Sequence, residues 1–148
     1  RPSKNLWLPD FLVTYATQAK LDEELEKEYA LRSDEKKMMS TAIKAAIDMG
    51  FDVDKYVIKT VNRLPKNAFG MADIAKERIL ISKLCFEYGL ETVVGTLIEE
   101  YAHIEYCYND ESRELQDWLL RQLVVQGIRA NKLHKEKVDG NFDRQTAD

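Results

Sequence analysis

The chain has 148 residues, of which 45% are hydrophobic and 32% are charged. This length and balance predict one globular domain with its own core, and they exclude disorder over most of the chain. The net charge of −4 at pH 7 disfavours a nucleic-acid partner. No apolar run approaches the roughly 18 residues of a membrane span, so no membrane partner is expected.

The cysteine content bears on the compartment. Cys85 and Cys107 form neither a CxxC pair nor a spaced disulfide framework, and this pattern is typical of proteins in a reducing compartment. The sequence does not open with a basic-then-apolar leader, and it starts at Arg1 rather than methionine. We therefore expect a cytoplasmic protein, and we interpret the chain as a piece of a longer one.

Residues 1–54 are predicted to be helical. A first helix follows Pro9 and Asp10, and its apolar residues recur at a mostly helical period. These residues are Phe11, Leu12, Tyr15, Leu21, Leu25 and Tyr29. A second helix begins at Ser33, has two acids in its first turn, and is ended by Gly50.

Residues 55–133 are predicted to contain a small sheet followed by helices. The β-branched run at residues 56–61 indicates a strand, residues 64–70 a loop, and residues 71–82 a hairpin whose second arm is Ile79-Leu80-Ile81.

A short helix should then end at Gly89, and longer helices should cover residues 91–108 and 112–133. Residues 134–148 are polar and are predicted to be a frayed tail. The expected fold is therefore α+β and mostly helical.

The most informative segment is Thr96-Leu97-Ile98-Glu99-Glu100-Tyr101-Ala102-His103. Zinc peptidases use H-E-x-x-H on a helix, where ligands at i and i+4 share one face and the intervening Glu acts as general base. Here Glu100 has the position of the base, His103 that of the second ligand, and Glu99 replaces the first His. A carboxylate still binds zinc, but its charge weakens the ion's pull on bound water and favours harder ions such as Mn²⁺.

Together with the flanking residues, this segment resembles a known family. The pattern is Ile79-Leu80-Ile81-Ser82, a short helix ending at Gly89, the motif helix, then Asp110 and Ser112-Arg113-Glu114. It is similar to minimal zincin-type domains attached to gyrase- and histidine-kinase-like ATPases of bacteria and phages. The resemblance covers about residues 56–126. It implies a zincin-like core, with residues 79–81 as the edge strand along which a peptide would lie.

A metal site needs a third ligand. Asp110, seven residues after His103, lies where the turn after the motif helix could return it to the site, and Glu114 is the other candidate. Glu99, His103 and Asp110 would make a set of one imidazole and two carboxylates for a divalent ion, Zn²⁺ or Mn²⁺.

Each of these residues also has a plain structural explanation. Glu99 and Glu100 have the pattern of solvated helix positions, Asp110 that of a helix N-cap, and His103 that of a hydrogen-bonded core histidine.

Three functional interpretations follow. The favoured one is an altered, non-catalytic zincin-like domain that serves as a C-terminal binding or regulatory module of a larger ATP-binding protein, with protein partners or the rest of that chain. The second is an active metal-dependent peptidase with Glu100 as base and a peptide as substrate. The third is a helical dimerisation module in which the motif is a coincidence.

Overall fold

The computed structural model describes residues 23, 25–109 and 112–147. The chain divides into two units, one up to Cys107 and one from Tyr108 onward. The fold is α+β and mostly helical, as predicted. The helices are α1 (Ser33–Asp48), α2 (Lys83–Glu87), α3 (Leu90–Tyr106) and α4 (Arg113–Ala147), and the strands are β1 (Val57–Val61), β2 (Gly70–Asp73) and β3 (Arg78–Ser82).

Helix α1 has the predicted ends. The Arg32 backbone N–H donates to the Glu35 carboxylate at 2.9 Å, so an acid in the first turn satisfies one of the unpaired donors there. At the other end Gly50 adopts a φ of 99°, and the Phe51 N–H donates back to the Ala46 carbonyl. The first predicted helix lies mostly outside the described residues.

Tyr29 was predicted to belong to that first helix, and this is wrong. Glu28 forms an antiparallel bridge with Val61, and the Tyr29 N–H donates to the Thr60 carbonyl at 2.7 Å. The backbone groups on the outer edge of β1 need partners, and this short extended segment supplies one.

The three strands form one sheet in the order β1-β3-β2, with β3 parallel to β1 and antiparallel to β2. The predicted strand and hairpin are therefore confirmed. The expectation that residues 79–81 form a sheet edge is wrong, because β3 is the central strand. All five residues of β3 are buried, and a run that is apolar on both faces is typical of a central strand.

Helix α3 is the centre of the first unit. It packs against α1, β2 and β3, and its predicted extent is confirmed to within two residues at each end. It ends where Cys107 adopts the left-handed conformation with a φ of 56°.

Helix α4 forms the second unit by itself. It starts as predicted but continues to Ala147, so the fraying predicted from residue 134 is wrong. Lys, Glu and Arg are good helix formers, and a polar segment can extend an existing helix at little cost. In the described part of the chain no helix is both long and apolar enough to cross a membrane.

A polar contact fixes the C-terminal half of α3 to the segment before β1. The Tyr56 hydroxyl donates to the Glu105 carboxylate, and the Lys55 ammonium pairs with the same oxygen. The Lys55 ammonium also lies 5.2 Å from the Tyr56 ring and 5.9 Å from the Tyr101 ring. The hydrogen bonds from Lys55 and then Tyr56 lower the pKa of Glu105, while burial first and then Glu105 raise that of Tyr56 to about 12.

We predict that Glu105→Gln costs about 1 kcal/mol of unfolding free energy at pH 7. A lowered carboxyl pKa contributes stability above its unfolded value, and this contribution is lost as the pH falls through the folded value. The difference between wild type and variant should therefore shrink between about pH 5 and pH 3. Urea denaturation of wild type and variant at several pH values measures this difference. A difference that does not depend on pH would contradict the prediction.

Candidate metal site

The altered motif lies on one uninterrupted helix. Glu99, Glu100 and His103 are all within α3, as predicted, with no break from Ile98 to Ile104. Glu99 is exposed, whereas Glu100 and His103 are 7% and 6% exposed. The site would therefore have one side chain at the surface and two in the interior.

The three side chains converge. One ligand atom of each, two carboxylate oxygens and an imidazole nitrogen, all lie within 4.8 Å of one another. Three ligands that bind one ion at about 2.1 Å are about 3.4 Å apart in a tetrahedral site. The group would therefore have to contract by up to about 1.4 Å to hold one ion, and the exposed Glu99 side chain has the rotamer freedom to supply much of that movement. The three residues are of the right types and close enough to hold a divalent cation after this adjustment.

The charge of this group limits its chemistry. Two carboxylates neutralise a divalent ion, whereas the two imidazoles of an ordinary zincin helix leave its charge intact. A neutralised ion polarises bound water less, so the group is better suited to binding a cation than to activating water.

The structure bears on three of the predicted site residues but not on the fourth. The geometry brings Glu99 and His103 together, and Glu100 is close enough to be a ligand as well as a base. Asp110 lies outside the described residues, so its role as third ligand stays a prediction. Among the residues that the structure describes, Glu100 is the nearest source of a third ligand atom.

Gly70 holds β2 directly against the motif helix. A Cβ atom at Gly70 would fall well inside van der Waals contact with Thr96 Cγ2, and would lie 3.0 Å from Glu100 Cγ. The Thr96 hydroxyl donates to the Thr92 carbonyl at 2.7 Å and accepts from the Cys85 thiol at 3.5 Å, which fixes the direction of the Thr96 methyl group. The strand therefore lies against the Glu100 side chain because residue 70 has none of its own.

The sequence reasoning did not single out Gly70 or Thr96. Gly70 was assigned to the end of a loop, where glycine is common for conformational reasons. A glycine at the start of a strand can also indicate close approach of another segment, and this was the available signal.

A second polar group lies at the turn between β2 and β3, in an open groove. The Arg78 guanidinium pairs with Glu26 at 2.7 Å and with Asp73 at 2.8 Å, and Lys76 also pairs with Glu26 at 2.7 Å. Hydrogen bonds from Arg78 and then Lys76 lower the pKa of Glu26 to about 2. Because these cations are already matched by acids, we interpret the groove as a structural clamp on the hairpin rather than an anion site.

Comparison of the chain with protein-family models, with curated proteins and with solved structures finds no match. The site is therefore defined by its own geometry: a convergent Glu-Glu-His group on a helix that packs against an edge strand.

We predict that Gly70→Ala destabilises the protein by about 1–3 kcal/mol, because the added methyl group overlaps with Thr96. Thr96→Ser, which removes the opposing methyl group, should recover part of that loss in the double variant. Urea denaturation of the four proteins gives the coupling energy. Gly95→Ala is the matched control: nothing lies within 4 Å of a Cβ at that exposed helix position, so it should stabilise by about 0.5–1 kcal/mol. Additive effects of Gly70→Ala and Thr96→Ser would contradict the close contact.

Proposed function

We propose that the chain is an altered, non-catalytic zincin-like domain that binds a divalent cation through Glu99, Glu100 and His103. The observation that supports this most directly is the convergence of their ligand atoms within 4.8 Å on a single helix. The i, i+4 spacing of Glu99 and His103 is the arrangement by which HExxH helices grip one ion. Because an acid replaces the first His, Mn²⁺ is expected as a ligand-compatible ion in addition to Zn²⁺.

The bound ion would have a structural role in this proposal. Glu100 and His103 are buried where α3 packs against its neighbours, and Glu99 would be the ligand on the solvent side. A cation that binds the folded state but not the unfolded one raises stability by mass action. Metal binding would thus stabilise the folded state of the proposed binding module.

The wider role follows from the sequence resemblance. We infer that the domain is the C-terminal binding or regulatory module of a larger cytoplasmic ATP-binding protein, like the zincin-type domains it resembles. The sequence encoded upstream of Arg1 tests this part. An ATP-binding domain there would support it, and an unrelated upstream domain would refute it without affecting the metal site.

The alternative function is an active metal-dependent peptidase. One observation favours it: the buried Glu100, which has the base position of the motif, lies against Gly70 of the edge strand β2. An edge strand has unpaired backbone groups that can accept an extended peptide. The catalytic arrangement would then require Glu100 as base, with Glu99, His103 and Asp110 as ligands.

We predict that the purified chain binds Mn²⁺ or Zn²⁺ with one ion per chain, and that Glu99→Gln weakens the affinity at least about tenfold. Elemental analysis and calorimetric titration measure the stoichiometry and affinity. Glu91→Gln, which alters an exposed acid on the same helix, is the control and should leave the affinity unchanged. Equal affinities of wild type and Glu99→Gln would refute the site.

We also predict that wild type does not cleave peptides with either ion present, because the carboxylates neutralise the charge that would activate water. Cleavage by wild type that Glu100→Gln abolishes would establish the peptidase alternative. Glu99→His restores the HExxH sequence, so a gain of zinc affinity in this variant would support the preserved geometry of the site.

A further inference from the structure

The buried side chain of Glu100 lies against the backbone of strand β2. A Cβ atom at Gly70 would lie 3.0 Å from Glu100 Cγ and 3.4 Å from the Leu80 carbonyl oxygen of β3. The Cγ atom of a glutamate is bonded directly to its carboxyl carbon, so the group that would bind the ion is one bond away from this contact. Because the interior is close-packed, the Glu100 carboxylate can shift only if its stem moves against β2 or if β2 moves with it.

Cation binding requires movement of the ligand atoms. They lie within 4.8 Å of one another, whereas the ligands of one ion are about 3.4 Å apart in a tetrahedral site. Glu99 is exposed and can move through its rotamers, but Glu100 and His103 are 7% and 6% exposed and are enclosed by their neighbours. Any part of the adjustment that Glu100 supplies is therefore transmitted to the strand beside it.

Strand β2 is the less firmly held arm of the hairpin. All four of its residues are half-buried, whereas all five residues of β3 are buried. In the part of the chain that the structure describes, β2 pairs with β3 on one side only, at the edge of the sheet. The turn that joins the two strands, residues 74–77, is exposed. Segments with an open edge and few buried contacts open locally at a lower free energy than a central strand does.

Charge acts differently on β2 with and without an ion. One carboxylate oxygen of Glu99 and one of Glu100 lie within 4.8 Å of each other, and like charges at this distance repel. Opening of β2 admits water to the Glu100 side chain and weakens this repulsion, because water screens charges better than the protein interior does. A divalent ion between the carboxylates replaces the repulsion with attraction, and it binds best to the closed state in which β2 holds the Glu100 stem in place.

We propose that cation binding to Glu99, Glu100 and His103 is coupled to strand β2 through the contact of Glu100 with Gly70. The ion suppresses local opening of β2, and displacement of β2 lowers the affinity for the ion. The two effects are reciprocal because they share one coupling free energy. This inference rests on the proposed cation site and adds regulation to it, since any event that moves the edge strand changes how tightly the ion is held.

Hydrogen exchange of the full chain with and without saturating Mn²⁺ tests the first effect. The ion should slow the amides of β2 at least about threefold more than those of helix α1, because β2 exchanges by the local opening that the ion suppresses. Glu91→Gln, which alters an exposed acid on the same helix, should retain this difference. Glu99→Gln should lose it at a Mn²⁺ concentration that leaves this variant largely unbound. Equal slowing in β2 and α1, or none in either, would overturn the coupling.

Substitution at Gly70 tests the second effect. The double variant Gly70→Ala/Thr96→Ser relieves the overlap with Thr96 Cγ2 but keeps the added methyl group 3.0 Å from Glu100 Cγ, so it displaces β2 at less cost in stability than Gly70→Ala alone. Calorimetric titration should give a Mn²⁺ affinity at least about fivefold below that of Thr96→Ser. Gly95→Ala, with nothing within 4 Å of its Cβ, should bind Mn²⁺ as wild type does.

The outcomes separate this coupling from the cation site itself. A wild-type protein that binds neither Mn²⁺ nor Zn²⁺ would refute both. Binding by wild type, with equal affinities of Thr96→Ser and the double variant, would leave the site in place and overturn the coupling. Circular dichroism of the double variant establishes that it is folded, and a loss of affinity then reports on the position of β2 rather than on unfolding. The exchange measurement on wild type needs no variant and decides the first effect by itself.

Discussion

The arrangement of the first unit depends on the close approach between the backbone of β2 and helix α3 at Gly70. Because residue 70 has no side chain, the strand lies directly on Thr96 and Glu100, and the hydroxyl of Thr96 is fixed by hydrogen bonds that turn its methyl group toward the strand. This contact sets the distance between the sheet and the motif helix. The polar contact of Tyr56 and Lys55 with Glu105 holds the other end of the same helix.

The chemistry expected of the candidate metal site follows from the type of residue at position 99. An imidazole leaves the charge of a divalent ion intact, and a carboxylate reduces it. With Glu99 and Glu100 beside His103, the group retains the spacing of a metal-binding helix while it loses the electrostatic condition for activating water. In the proposed site, the geometry that holds an ion and the charge that activates water are therefore separate properties of the same helix.

The two units differ in how much of their apolar surface is covered. Helix α3 is covered by α1 and the sheet, so its apolar residues have partners within the unit. Helix α4, by contrast, carries eight of the fourteen large hydrophobic residues that are exposed in the described part of the chain. The acid in its first turn, Glu114, suits the helix dipole, which favours acids near the N-terminus.

The sequence by itself determined the local elements, because their signals are local: the glycine after α1, the β-branched run of β1, and the i, i+4 spacing of Glu99 and His103 on one helix. It did not reveal that β3 is central, since strand order depends on which surfaces pair across the whole unit, although the unbroken apolar run from Ile79 to Ile81 was a usable sign. The extended segment at Tyr29 and the continuation of α4 to Ala147 were also missed, because a neighbouring strand edge and an already formed helix outweigh local preference. Only the tertiary structure decided that Glu100 is buried against Gly70 while Glu99 is exposed, because burial depends on what packs against each side of the helix rather than on the spacing along it.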